Sequence, residues 1–341
     1  MRLLLPFGRW AWQSSLVLFA AVTLLQSNAD AQAVNPALDG KIVYWSDIRT
    51  GTTDAIYSVN PDGSAATKLF DKHIDHQHYA ISADGNVFAY WKGEGTGKDL
   101  KLDIWTSSAD GKTETKLTSD GRWNSYPSLD AQGRKVAFVA HSDGTSQAYV
   151  INTDGSGRTK LTQSPLHVAG SPVLSPQGDV VIVNASRLEW DRDAQKWHVM
   201  WTLFWVTTDG KDGGPLTETR DSLEGTDSSS AFSPDGQRVV FISKRDGVMP
   251  DATTEHWNSD IYIVNRDGSE ETRLTNLKSF CAAPSFSPDG SQIVFLKKEK
   301  DKPNAKWEIW TMKADGSDPR LVVKGETDCG KPFWIGLPKK Q

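Results

Sequence analysis

The sequence has few groups that react or bind by themselves. It carries only 2 Cys in 341 residues, so at most one internal disulfide. No Gly-x-Ser-x-Gly is present, which argues against a nucleophile-elbow hydrolase. A His-Glu-x-x-His pair, a phosphate loop and a dinucleotide fingerprint are also missing. Basic residues do not predominate: 38 Lys and Arg stand against 43 Asp and Glu, so nucleic acid is not an expected partner. Past the N-terminal region no run of 18 apolar residues occurs, and no transmembrane segment is expected in the mature chain.

Residues 1–33 read as a secretory signal. Arg2 and Arg9 give a basic start, and Leu16 to Leu25 is an apolar run of about ten residues. Ala29-Asp30-Ala31 and Ala31-Gln32-Ala33 both suit cleavage, with an uncleaved anchor as the alternative. No Cys follows the run, so a lipid anchor is not expected. The expected location is the periplasm or the exterior. Without Arg2, Arg9 and Asp30, the 38 basic and 43 acidic residues become 36 and 42, a net charge of −6. That charge is scattered, as on a solvated surface.

What the chain does have is an internal repeat. One marker is a turn such as Ser233-Pro234-Asp235-Gly236 or Ser287-Pro288-Asp289-Gly290, followed by a β-branched run. The other is an aromatic strand, an Asp-Gly turn and a Leu-Thr ending, as in Ile261-Tyr262, Asp267-Gly268 and Leu274-Thr275. The glycine of the second marker recurs at Gly63, Gly111, Gly155, Gly210, Gly268 and Gly316. A period of about 50 residues with four short strands per repeat predicts an all-β, six-bladed propeller. The fourteen Trp suit the bulky wedges that such packing needs. Five blades are whole: His78–Thr118, Tyr126–Thr162, Gly170–Thr217, a fourth centred on Arg238–Ser243, and Ala283–Val322. The sixth is split. Lys331–Ile335 supplies its inner strand, and Lys41–Ser46, Ala55–Asn60 and Thr67–Phe70 the other three, so the ends are expected to close the ring. Residues 34–341 are therefore expected to form a single propeller domain.

The Ser-Pro-Asp-Gly turn, the following Asp-Ile-Tyr or Asp-Ile-Trp, and the Asn-x-Asp-Gly-Ser and Leu-Thr endings resemble the repeat of TolB-like six-bladed propellers. The resemblance covers about Leu38–Ile335 and is closest in blades four and five. TolB proper carries an α/β domain before its propeller, and that domain's N-terminal segment engages an envelope partner. Here the propeller begins within about ten residues of the cleavage site, which departs from that plan. The resemblance implies a fold that hosts scaffolds, binding proteins and some enzymes. Its peptidase relatives need a separate hydrolase domain, for which no residues are left over.

The short turns lie on one face. The other holds longer, dissimilar segments: Lys92–Leu102, Ser186–Thr202, Lys244–Ser259 and Lys297–Lys306. Variable loops on a regular scaffold are where binding sits. Nine residues before each inner-turn glycine lie His76, Asn124, Ala169, Asp227 and Cys281, with Cys329 in the split blade. Two residues further are His78, Tyr126, Ser171 and Ser229. His76, His78, Asn124, Tyr126 and Asp227 are thus the binding candidates at the channel mouth. His76 and His78, with His73, Asp75 and Asp227, form a candidate divalent-metal site; the alternative is a wet channel that tolerates polar residues. No other cofactor is expected. The resemblance implies that lyase members acting on uronates use channel-mouth histidines with a divalent metal. Cys281 and Cys329 occupy equivalent positions in neighbouring blades. They are expected to form a disulfide closing about 48 residues, worth ~4 kcal/mol, with separate thiols as the alternative. On the loop face, Trp190 and Trp197 are candidates for exposed contact, whereas Trp201 and Trp205 read as strand residues of the blade core. The expected role is non-catalytic binding of an envelope or periplasmic protein. The alternative is a carbohydrate-binding or carbohydrate-active propeller, a metal-assisted polysaccharide lyase if an enzyme.

Overall fold

The structure is a computed structural model that describes residues 33–47, 55–70, 79–95, 100–142, 144–168, 170–191, 195–217, 220–221, 227–245, 259–299, 302, 304–324 and 328–337. The expected signal segment, His73, Asp75, His76, His78 and Ala169 lie outside the described residues. Among the described residues there is no helix; regular structure is all strand.

Strands β1 (Ile42–Asp47), β2 (Ala55–Val59) and β3 (Thr67–Phe70) form a sheet with the last strand, β26 (Asp328–Trp334), in the order β26-β1-β2-β3. The N-terminal strands thus pair with the C-terminal one, antiparallel, from Ile42↔Trp334 to Asp47↔Asp328. Next come β4 (Ala80–Ile81), β5 (Val87–Glu94), β6 (Lys101–Ser108) and β7 (Glu114–Lys116). They are joined to β8 (Trp123–Leu129), β9 (Lys135–Ser142), β10 (Thr145–Asn152) and β11 (Thr159–Lys160) by one parallel bridge, Leu102↔Trp123. That makes one eight-stranded sheet of two antiparallel halves. A third sheet holds β12 (His167–Val168), β13 (Val173–Leu174), β14 (Val180–Asp191), β15 (Lys196–Thr207), β16 (Gly213–Pro215) and β17 (Arg220–Asp221). Two four-stranded sheets follow. One is β18 (Asp227–Phe232), β19 (Arg238–Ser243), β20 (Asp260–Asn265) and β21 (Thr272–Arg273). The other is β22 (Phe280–Phe286), β23 (Gln292–Lys298), β24 (Glu308–Lys313) and β25 (Arg320–Val323). No single sheet closes on itself.

The repeat residues build these units by specific bonds. In the inner turn, Ser287 Oγ donates to Asp289 Oδ1 at 2.6 Å and accepts from Gln292 N at 2.9 Å, while Gly290 N donates to Ser287 O at 2.8 Å. In the outer turn, Ser269 N and Oγ both donate to Asp267 Oδ1, at 3.0 and 2.6 Å. The Leu-Thr ending ties the fourth strand to the third. Thr275 Oγ1 accepts from Ile261 N at 2.9 Å and donates to Asp260 Oδ1 at 2.8 Å. Thr118 repeats this with Ile104 and Asp103, and Thr162 with Ala148 and Gln147. The aromatic of the third strand stacks on its cross-strand partner: Tyr44 on Tyr57, Phe138 on Tyr149, Phe241 on Tyr262. Cations cover several of these rings, with Lys92 over Trp105, Arg158 over Tyr149, Arg245 over Tyr262 and Lys297 over Trp310.

The core lies between units rather than inside one. Each apolar cluster joins neighbours. Ile104 and Leu117 meet Val136 and Phe138; Val180 and Leu203 meet Phe232 and Phe241; Val294 and Ile309 meet Ile42, Tyr44 and Trp334. Glycines permit the closest approaches. Gly316 has φ +85°, and a Cβ there would sit 2.4 Å from Leu274 O of the preceding unit. The segments expected as loops at Lys92–Leu102 and Ser186–Thr202 are instead mostly continued ladder, running to Glu94↔Lys101 and Asp191↔Lys196. Antiparallel pairing satisfies the backbone groups above the packed core, where an irregular loop would rely on water.

Candidate functional site

Four of the inner strands carry the same irregularity. The ladder slips between Ser125 and Ser128, between Ser228 and Ala231, between Ala282 and Ser285, and opposite β1 between Val43 and Trp45. Within these bulges Tyr126, Ser229, Ala283 and Lys331 have φ of 55°, 48°, 46° and 30°. A side-chain-bearing residue in this left-handed region costs about 1–2 kcal/mol, so four repeats of it are a built feature. A bulge re-aims the residue it displaces. All four line one central cavity of about 510 Å3, as does Ser171. Six inner segments line it: Ala80–Ile81, Tyr126–Leu129, Gly170–Leu174, Ser228–Phe232, Ala283–Phe286 and Lys331–Trp334.

The wall is largely apolar, with Val173, Leu174, Phe286 and Phe333 among its members. Among the described residues, Lys331 is its one basic residue and Asp130 its one acidic residue. Asp130 is committed to its turn, accepting from Arg134 N at 2.6 Å and Lys135 N at 3.1 Å. Burial pulls the Lys331 ammonium down to about 8.

Of the candidates read from sequence, Tyr126 alone among those described reaches the cavity. Asn124 and Asp227, two residues earlier, are buried and used by the scaffold. Asn124 Nδ2 donates to Asp120 Oδ1 at 2.8 Å. Asp227 Oδ2 accepts from Arg245 Nη2 at 2.6 Å, and the same guanidinium reaches Glu271. Among the described residues no group of three His, Cys, Asp or Glu is placed to hold a metal. The expected Cys281–Cys329 disulfide is not formed; both are buried thiols. Their equivalence is the reason. Each thiol turns the same way, toward the preceding unit: Cys281 to Thr275 and Asp260, and Cys329 Sγ to Trp307 O at 2.9 Å. The two thiols face different partners and do not meet. Burial pushes the Cys281 thiol up to about 12.

Trp190 and Trp197 are register partners near the tip of the β14–β15 hairpin, and their side chains lie outside the described ones. Leu188 on the same hairpin is 63% exposed. Trp205 packs in the cluster with Phe232 and Phe241, as its strand reading requires.

Sequence reasoning passed over Lys331 as a site residue. A signal was present. Tyr126-Pro127, Ser171-Pro172, Ala283-Pro284 and Lys331-Pro332 place a proline after the cavity residue, and proline within sheets marks bulges and edges.

No family model matches the chain. Dipeptidyl-peptidase 5 of Porphyromonas gingivalis is 26% identical over 285 residues, 81% of this chain and 38% of that protein. An uncharacterised protein of Agrobacterium fabrum is 28% identical over 207 residues, 60% of this chain and 67% of its own length. The chain spans 37% and 38% of the two dipeptidyl-peptidases it matches. Among solved structures, TolB from Acinetobacter baumannii aligns with TM-score 0.59 at 16% identity, over 87% of this chain and 66% of that one. An oligogalacturonate lyase in complex with manganese aligns with TM-score 0.50 at 14% identity, over 83% and 74%. The chain has the fold of the TolB-like β-propellers.

Proposed function

We propose that the chain is an exported, non-catalytic binding propeller whose loop-bearing rim holds a protein or other component of the cell envelope, its six antiparallel units forming one ring. The ring is supported by the turn contacts, in which each glycine abuts the preceding unit. Gly85 abuts Ile335, Gly133 Val87, Gly178 Asp130, Gly236 Gln177, Gly290 Pro234 and Gly336 Pro288. Deleting the last ten residues removes buried Trp334 and Ile335, and unfolding should lose its cooperativity; an unchanged transition would refute the ring.

The rim reading is carried by the β14–β15 hairpin. Its two twelve-residue strands outrun the others and expose Leu188. Asn124 and Asp227 also serve the scaffold, which favours binding over catalysis. Affinity capture from the cell's own envelope fraction tests it, using the mature chain and a version with Arg187–Val199 replaced by a Gly-Ser turn. The intact hairpin should be needed for capture; equal capture by both versions, or by neither, overturns the reading.

A carbohydrate-binding or lyase-like role at the channel mouth is the second reading, favoured by the likeness to the manganese-bound lyase. Asp227, its described ligand, has one carboxylate oxygen on the Arg245 guanidinium at 2.6 Å and the other buried with no hydrogen-bond partner. Calorimetric titration with Mn2+ of the native chain and of the His76→Ala/His78→Ala chain tests it. Binding that needs the histidines would favour it.

A further inference from the structure

Among the described residues the cavity holds a cation without a counterion. Among the described residues Lys331 makes no ion pair, and Asp130, the cavity's one carboxylate, is taken up by its own turn. The Lys331 ammonium lies 5.2 Å from the centroid of the Phe333 ring, itself part of the wall. Its backbone is held at positive φ by the bulge that turns it inward. A partly buried, unpaired charge on a strained backbone costs free energy that a bound anion recovers.

Two further features define that anion. Asn184 lines the same cavity, and its buried Oδ1 has no hydrogen-bond partner, so it lacks a donor. The rest of the wall is mostly apolar, and about 510 Å3 suits a small organic molecule rather than an inorganic ion. A ligand with one carboxylate, N–H donors close behind it and an apolar side chain meets all three demands.

We propose that the central cavity binds the C-terminal carboxylate of a short apolar peptide, with Lys331 holding the carboxylate and Asn184 accepting from a peptide N–H. Ser171 and Ser229, which also line the cavity, would complete the polar contacts. This site is separate from the rim, so hairpin-dependent capture and cavity binding succeed or fail independently.

Isothermal titration of the mature chain with acetyl-Ala-Phe, as the free acid and as the C-terminal amide, tests it. The acid should bind at least tenfold more tightly than the amide. Lys331→Met should remove the difference between acid and amide, a cycle that isolates the charge pair. In the native chain the acid should bind about tenfold less tightly at pH 9 than at pH 7 as the ammonium discharges, with no change for the amide. The pH arm needs no variant, so a misfolded Lys331→Met chain does not protect the idea. Equal binding of acid and amide, or no binding of the acid at millimolar concentration, overturns it.

Discussion

Two glycines separate backbone strain from contact between units. Gly155 and Gly316 occupy the same outer turn of different repeats, and both have φ +85°. Alanine in this left-handed region costs about 1–2 kcal/mol at either position. The gain from a stiffer unfolded chain is common to both and cancels in the comparison. The surroundings differ. A Cβ at Gly155 meets nothing within 4 Å, whereas at Gly316 it would lie 2.4 Å from Leu274 O, with Leu274 Cα and C also near. Leu274 is held by its own N–H, which donates to Ile261 O at 2.8 Å, so its carbonyl does not swing aside freely and the unit must shift, at about 1–3 kcal/mol. Gly155→Ala should therefore destabilise by about 1 kcal/mol and Gly316→Ala by about 3 kcal/mol. Urea unfolding with unchanged slopes reads the difference directly as a shift in midpoint. For a chain of this size, about 2 kcal/mol is a gap of about 4 °C in Tm. Equal midpoints, or a larger loss at Gly155, would refute the claim that these turns touch through glycine.

Three further outcomes follow from the geometry. Thr275→Val removes a hydroxyl that serves both Ile261 N and buried Asp260, and should cost about 1–3 kcal/mol; a midpoint within error of native in urea would show that the Leu-Thr ending is not a tie. Cys281 and Cys329 are buried thiols, so a thiol reagent should label neither in native protein and both after unfolding, and the intact mass should not change on reduction. The serines of the outer turns hold Asp62, Asp154, Asp267 and Asp315 below the usual carboxylate range of 3.8. A depressed folded pKa stabilises above the unfolded value and is lost as pH falls through the folded one. Stability should thus be level from neutral pH to about 5 and decline below about 4, less steeply when Ser64, Ser156, Ser269 and Ser317 are alanine.

The sequence by itself determined the repeat, and with it the strands. Arg238–Ser243 and Asp260–Asn265 fall where the alternation and turns put them. Ile42–Asp47 pairs with Asp328–Trp334, as a split unit demands. These features are legible because turn chemistry and period-two alternation act over a few residues. Only tertiary structure decided how equivalent positions face. Cys281 and Cys329 share a place in the repeat, and each turns toward the preceding unit rather than toward the other. Asp227 looked available until Arg245, eighteen residues on, was brought against it. Lys331 looked like a strand residue until the bulge turned it into a cavity lined by six inner segments. Such facts depend on which side chains converge from distant repeats. Local pattern carries no information on that convergence, because each repeat is written as though its neighbours were not there.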